Sequence, residues 1–307
     1  MTRRWLCALV CAVATPLAAA QKEETITRVY PATPGKVVLV EGGTLDVTIR
    51  SAEIPEIRVK VELSATAFKD KQAQAWIDGL RPTLEDGADT LRVVAPEPAG
   101  STLWKGIVVS RARIELVVPP TVRPDLSTSS GILRVAGEFA GGTPMRLRSS
   151  SGEIEFDGWA PDVEVRSTSG DIRVSASRAF DRFMARTASG MLTLIGGARW
   201  ARCDTSSGTV SLAGLLGPTG IATTSGKVTL AFDALEAGHE VRVTTTSGRV
   251  RVTLPPGAQP GGEITSAKGE IRSIYPGQAD PKGGRLTLAG TGPKLVVSSS
   301  SGKVDLN

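Results

Sequence analysis

The chain carries very little with which to do covalent chemistry. Its 307 residues include one histidine and three cysteines, and aromatic residues make up 4%. His239 sits in a Glu-Ala-Gly-His-Glu stretch that reads as a solvent-exposed turn, and any histidine-based triad would have to rest on it. Cys7 and Cys11 fall in a segment with the marks of a secretory signal. Arg3 and Arg4 come first, residues 5–13 are apolar, Pro16 follows, and Ala18-Ala19-Ala20 supplies small residues before a cleavage point. Val10 stands where a lipoprotein anchor at Cys11 would need a small residue. Cleavage after Ala20 leaves Cys203 alone, which excludes an intrachain disulfide even on an export route that permits one. No run reaches the roughly 20 apolar residues of a membrane-spanning helix. Loss of Arg3 and Arg4 lowers the formal charge from +5 to +3, too slight an excess to indicate nucleic acid. With so few soft ligands and no acids at ligand spacing, no metal or cofactor is expected.

What the chain has in abundance is a repeat. A Ser/Thr-rich tripeptide, a glycine and an alternating apolar run recur nine times, at Gly131, Gly152, Gly170, Gly190, Gly208, Gly226, Gly248, Gly269 and Gly302. Successive spacings are 21, 18, 20, 18, 18, 22, 21 and 33 residues, the last enlarged by a Pro- and Gly-rich insertion over 273–292. Two residues after the glycine stand Leu133, Ile154, Ile172, Leu192, Val210, Val228, Val250, Ile271 and Val304. Five before it stand Leu126, Leu147, Val165, Ala185, Cys203, Ile221, Val243, Ile264 and Val297. Period-two alternation on both sides of the glycine predicts two short strands per repeat, each with one inward face. No single repeat can bury that face, but stacked repeats can, pairing in parallel at about 4.8 Å. The expected fold is all-β, a parallel β-solenoid. Glycine suits the corner between the strands, where φ > 0 or a close backbone approach would exclude a side chain.

Residues 21–125 are less regular and read as an N-terminal α+β cap, partly wound into the solenoid of residues 126–307. Gly43-Thr44-Leu45-Asp46-Val47 resembles one repeat, and residues 57–61 alternate like a strand. Residues 70–80 form the one convincing helix, with Ala73, Trp76, Ile77 and Leu80 on one side. The chain stops at Asn307 just after a repeat, so that end is either covered by the 273–292 insertion or left open to pair end to end.

Ser-Thr-Ser-Gly-Asp-Ile-Arg-Val (167–174), Thr-Thr-Ser-Gly-Lys-Val-Thr-Leu (223–230) and Thr-Thr-Ser-Gly-Arg-Val-Arg-Val (245–252) resemble the repeats of the bacterial putative-adhesin family, secreted or envelope domains of unknown function. The resemblance is close over 125–252 and loose over 27–307. It implies a single-stranded, right-handed β-helix outside the cytoplasm, in the periplasm, on the cell surface or secreted. It carries no catalytic residues over.

Four groups of residues are candidate sites. Arg148, Arg166 and Arg186 stack four positions before the glycine, with Asp204 next, while Arg146 and Arg202 lie two positions earlier around Glu164. The ladder is either a solvated face neutralised by Glu164 and Asp204 or a groove for an anionic glycan, lipid headgroup or envelope protein. Glu153 and Asp171 follow the glycine in adjacent repeats, about 5 Å apart by strand spacing, as a glycosidase pair could be. The same ladder continues as Met191, Thr209, Lys227 and Arg249, and a solvated face explains it as well. Ser129, Ser150, Thr168, Ala188, Ser206, Thr224, Thr246, Ala267 and Ser300 form a small-residue ladder whose hydroxyls could order water or sugars, though tight corner packing explains it more simply. Cys203 shares an inward ladder with Val165 and Ile221 and reads as core. The leading expectation is a non-enzymatic scaffold presenting a repetitive surface. A self-assembling envelope protein and a polysaccharide-active enzyme are the alternatives.

Overall fold

The computed structural model describes residues 20–97, 104–142, 144–281 and 283–307, so the expected signal segment, Ala20 apart, lies outside it. The alternating pattern builds an all-β protein, with one α-helix among the described residues. Among the described residues there are two long, parallel-rich sheets of thirteen and fourteen strands. The less regular region supplies β1 (Ala20–Pro31), β2 (Val37–Glu41), β3 (Asp46–Ser51), β4 (Glu56–Ala67), α1 (Asp70–Leu80), β5 (Thr83–Asp86), β6 (Thr90–Val94) and β7 (Ile107–Val118). β1, β4 and β7 pair antiparallel at one end of the first sheet, and β7 then pairs in parallel with β3. α1 buries Ala73, Trp76, Ile77 and Leu80, the face its apolar spacing predicts, and packs on β4 and β1. β2 and β3 pair with the two strands of the first repeat, so this region is continuous with both sheets.

Each repeat then lays the strand before its glycine in the second sheet and the strand after it in the first. The registers bring like residue to like. Leu126, Leu147, Val165, Ala185, Cys203, Ile221 and Val243 form one ladder in the second sheet. Leu133, Ile154, Ile172, Leu192, Val210, Val228 and Val250 form another in the first. Every member of both ladders is buried, and each large aliphatic side chain contributes about 1.5–3 kcal/mol of burial. Phe156 stacks on Phe180 at 5.7 Å, and Phe180 on Phe183 at 6.0 Å, between the sheets.

Close approach is the common reason for glycine at the corner. A Cβ on Gly170 would stand 2.0 Å from the carbonyl oxygen of Gly152, and one on Gly152 would stand 2.0 Å from that of Gly131. Neither glycine has a positive φ. The hydroxyl three residues before the glycine fastens the turn: Ser167 Oγ accepts the Gly170 N–H at 2.9 Å, and Ser299 Oγ accepts that of Gly302 at 2.8 Å.

The stack does not end in sequence order. The ninth repeat, with strands Lys294–Ser299 and Val304–Leu306, lies between the seventh and the eighth. Val297 sits between Val243 and Ile264, and Val304 between Val250 and Ile271. Chemistry favours this order. Ser273 stands in the eighth repeat where the ninth has the buried Leu306, so the more polar repeat takes the end of the stack. Strands Gly277–Ala279 and Arg285–Ala289 pair antiparallel with one another, and the latter pairs with the eighth repeat. The insertion thus covers the end of the second sheet, and the C-terminal strands are interior. No helix of the described residues is long and apolar enough to cross a membrane.

Candidate functional site

The site is built on the outward positions of the second sheet. Parallel register sets Arg148, Arg166, Arg186 and Asp204 in one column. It sets Asp125, Arg146, Glu164, Met184 and Arg202 in the next. All five arginines therefore share one face, and each has an acidic partner. Arg148 lies 2.8 Å and Arg146 3.4 Å from the Asp125 carboxylate. Arg146 also reaches Glu164 at 3.4 Å, and Arg166 hydrogen-bonds the same carboxylate. Asp204 takes Arg186 at 3.3 Å and Arg202 at 3.6 Å. Three carboxylates thus hold five guanidinium groups in place, leaving two positive charges in excess. Partial burial pushes the Glu164 carboxyl up, but the hydrogen bonds and charges of Arg166 and Arg146 outweigh it, and the group is held below the usual carboxylate range. Asp125, which neutralises the start of the ladder, occupies the same aligned position as Arg146 and Glu164, six before its glycine, and is the partner the sequence reading passed over.

Between the arginine column and the corners runs an open groove of about 650 Å³. Arg148, Arg166 and Arg186 form one wall, and the exposed Thr168, Ser206 and Thr224 lie along the other side. The arginine and small-residue ladders, distinct in the sequence, are thus two sides of one feature. The hydroxyls next to them, at Ser149, Ser167, Thr187, Thr205 and Thr223, are buried at the corners. Arg202 lines an adjoining cavity of about 290 Å³ with Trp200 and Arg242, and Arg146 lines neither.

The other candidates are brought together differently. Glu153 and Asp171 do lie side by side, each just before one of two paired strands, but Arg173 lies against Glu153 and reaches Asp171 at 3.1 Å. Asp171 also accepts the Met191 N–H at 2.8 Å, so both carboxylates are tied into structural contacts. Cys203 is fully buried, and burial pushes its thiol far above the ordinary range, which suits core packing and not nucleophilic attack. His239 is half-buried rather than solvent-exposed, because its turn packs near Gly217, and Nε2 lies 4.0 Å from Glu236. No group of three potential metal ligands occurs among the described residues.

No family model and no curated protein matches the chain. Solved structures with some likeness include a putative adhesin from Bacteroides fragilis, 12% identical over 92% of this chain and 97% of its own, with a TM-score of 0.42. A putative lipid binding protein from Parabacteroides distasonis is 12% identical over 91% of this chain and 96% of its own, with a TM-score of 0.47. A putative cell adhesion protein from Clostridium sporogenes is 10% identical over 92% and 99%, with a TM-score of 0.22. At these overlaps none of the names transfers to this chain.

Proposed function

We propose that the chain is an exported, non-enzymatic β-solenoid scaffold whose second-sheet groove binds an anionic envelope or extracellular polymer along its length. In this reading residues 21–125 cap a solenoid of nine repeats over 126–307. The observation that carries it is the groove itself. Arginines repeat on three consecutive strands at about 4.8 Å, with Thr168, Ala188, Ser206 and Thr224 along the other side of the groove, and the five-arginine cluster carries two more positive charges than its carboxylates answer. The carboxylates behind the arginines fix the guanidinium forks in position, and an arginine held in this way loses little freedom when it takes up a carboxylate or sulfate. A periodic polymer fits a periodic groove better than a compact ligand does. The tied-up Glu153 and Asp171, and the inert Cys203, support binding over catalysis. The covered end of the second sheet supports a scaffold over a filament.

The test is binding of residues 21–307 to an immobilised polyuronate, a neutral glucan and vesicles containing anionic lipid. Glutamine is the right replacement, because a glutamate at Arg148 or Arg166 would face Asp125 or Glu164 and unsettle the sheet. Arg148→Gln with Arg166→Gln is expected to weaken polyuronate binding by about tenfold or more, since each lost charge-assisted hydrogen bond is worth about 1.5–3 kcal/mol. Polyuronate and neutral glucan bound alike would defeat the proposal, and preference for vesicles would move the ligand to a lipid surface.

A further inference from the structure

A second basic feature lies on the outward face of the first sheet, and the order of the last three repeats creates it. With the ninth repeat between the seventh and eighth, Asp305 lies between Arg251 and Arg272. The Val250 N–H bonds to Lys303 and the Val304 N–H to Glu270, which places Lys303 between Arg249 and Glu270. The Val228 N–H bonds to Arg249, so one column reads Lys227, Arg249, Lys303 across neighbouring strands. Like charges at strand spacing repel unless an anion answers them. Lys303 is answered by Glu270 at 3.3 Å and Asp305 at 3.5 Å, and Arg272 by Glu270 at 2.5 Å. Among the described residues Lys227 and Arg249 have no such partner. Arg251 comes only to 4.0 Å from Asp305, and its Nε is shut off from solvent with no acceptor.

These groups line a cavity of about 380 Å³, with Arg249, Arg251, Arg272 and Lys303 facing Asp305. Glu270 stands behind them, and Asn307 lines the same cavity. Even if Asn307 contributes a main-chain carboxylate, the four cations outnumber the negative charges. This contrasts with the groove, where every arginine of the ladder already has a carboxylate.

We propose that this cavity is a binding site for a phosphate group, on free phosphate or on a small phosphate ester. Two guanidinium groups that flank the buried Val250, Arg249 just before the strand and Arg251 within it, converge there with the ammonium of Lys303 from the neighbouring repeat. A tetrahedral oxyanion offers enough acceptor oxygens to meet Arg249, Lys303 and the unsatisfied Arg251 together, whereas a carboxylate offers two. The volume admits a headgroup of about one sugar in size. The site is independent of the groove, which lies on the other sheet.

Calorimetric titration of residues 21–307 with inorganic phosphate and with glycerol 3-phosphate, at constant ionic strength and with acetate as the carboxylate arm, tests it. Saturable binding of at least one phosphate, absent with acetate, is expected, and a preference for ester or for free phosphate identifies the source. Arg249→Gln, which removes an exposed side chain with no ion pair, is expected to weaken binding about tenfold or more. Arg251→Gln is expected to do the same. Arg134→Gln, on the same face but paired with Glu155 at 2.9 Å, should leave it unchanged. Melting without ligand verifies that each variant is folded. Absence of saturation with both phosphates, acetate binding as tightly as phosphate, or unaltered affinity in Arg249→Gln would overturn the proposal.

Discussion

At Gly170 the nearest obstacle to a side chain is the carbonyl of Gly152, and the same contact recurs from one repeat to the next. An added methyl there must push two strands apart. Gly170→Ala is expected to destabilise the protein by about 1–3 kcal/mol in urea unfolding, as overpacking does. Gly220 is the contrast: nothing lies within 4 Å of its Cβ position and its φ is not positive. Gly220→Ala should be neutral or stabilise by up to about 1 kcal/mol, through loss of freedom in the unfolded chain. Equal costs at both positions would contradict the stacking account. Sequence periodicity marks Gly170 and not Gly220 as a corner, but it does not separate a need for positive φ from a need for room. That distinction depends on the strand beneath, which is 18 residues away.

At the scale of elements, the inward ladders and α1 are legible in the chain because they follow from period two and period 3.6. The order of the last repeats is not legible from period, since the alternation of the eighth and ninth repeats is alike. One residue does carry the signal. Ser273 breaks the apolar pattern of the eighth repeat and marks it as the end of the stack, while Leu306 marks the ninth as interior. The ninth repeat therefore acts as a clasp, burying Leu295, Val297, Val304 and Leu306 against neighbours on both sides. Deleting residues 294–307 removes these four, each worth about 1.5–3 kcal/mol, and leaves the eighth repeat paired only with the insertion strand Arg285–Ala289, cut off from the seventh. Limited proteolysis of the truncated chain is expected to cut within residues 255–292 and to spare the earlier repeats. Full protection of 255–292 would mean that the eighth repeat docks directly on the seventh.

For the whole molecule, charge distribution carries the functional argument. The arginine ladder was legible because parallel stacking turns sequence spacing into spatial proximity. Its union with the hydroxyl ladder was not: the two positions lie only two residues apart before the glycine, but the turn into the corner decides whether they border one groove. The basic cavity on the first sheet was hidden for another reason: Lys303 stands 54 residues from Arg249, and only the interleaved order brings them together. Binding along a groove differs from binding at a pocket in one observable way, its dependence on ligand length. The measurement that tests this most directly is titration of residues 21–307 with a length series of uronate oligosaccharides at low and high salt. Affinity is predicted to climb with each added sugar until the groove is filled, and to weaken at high salt for every length. A single uronate binding as tightly as the longest oligomer, or affinity indifferent to salt, would contradict the account of the groove as a polymer site.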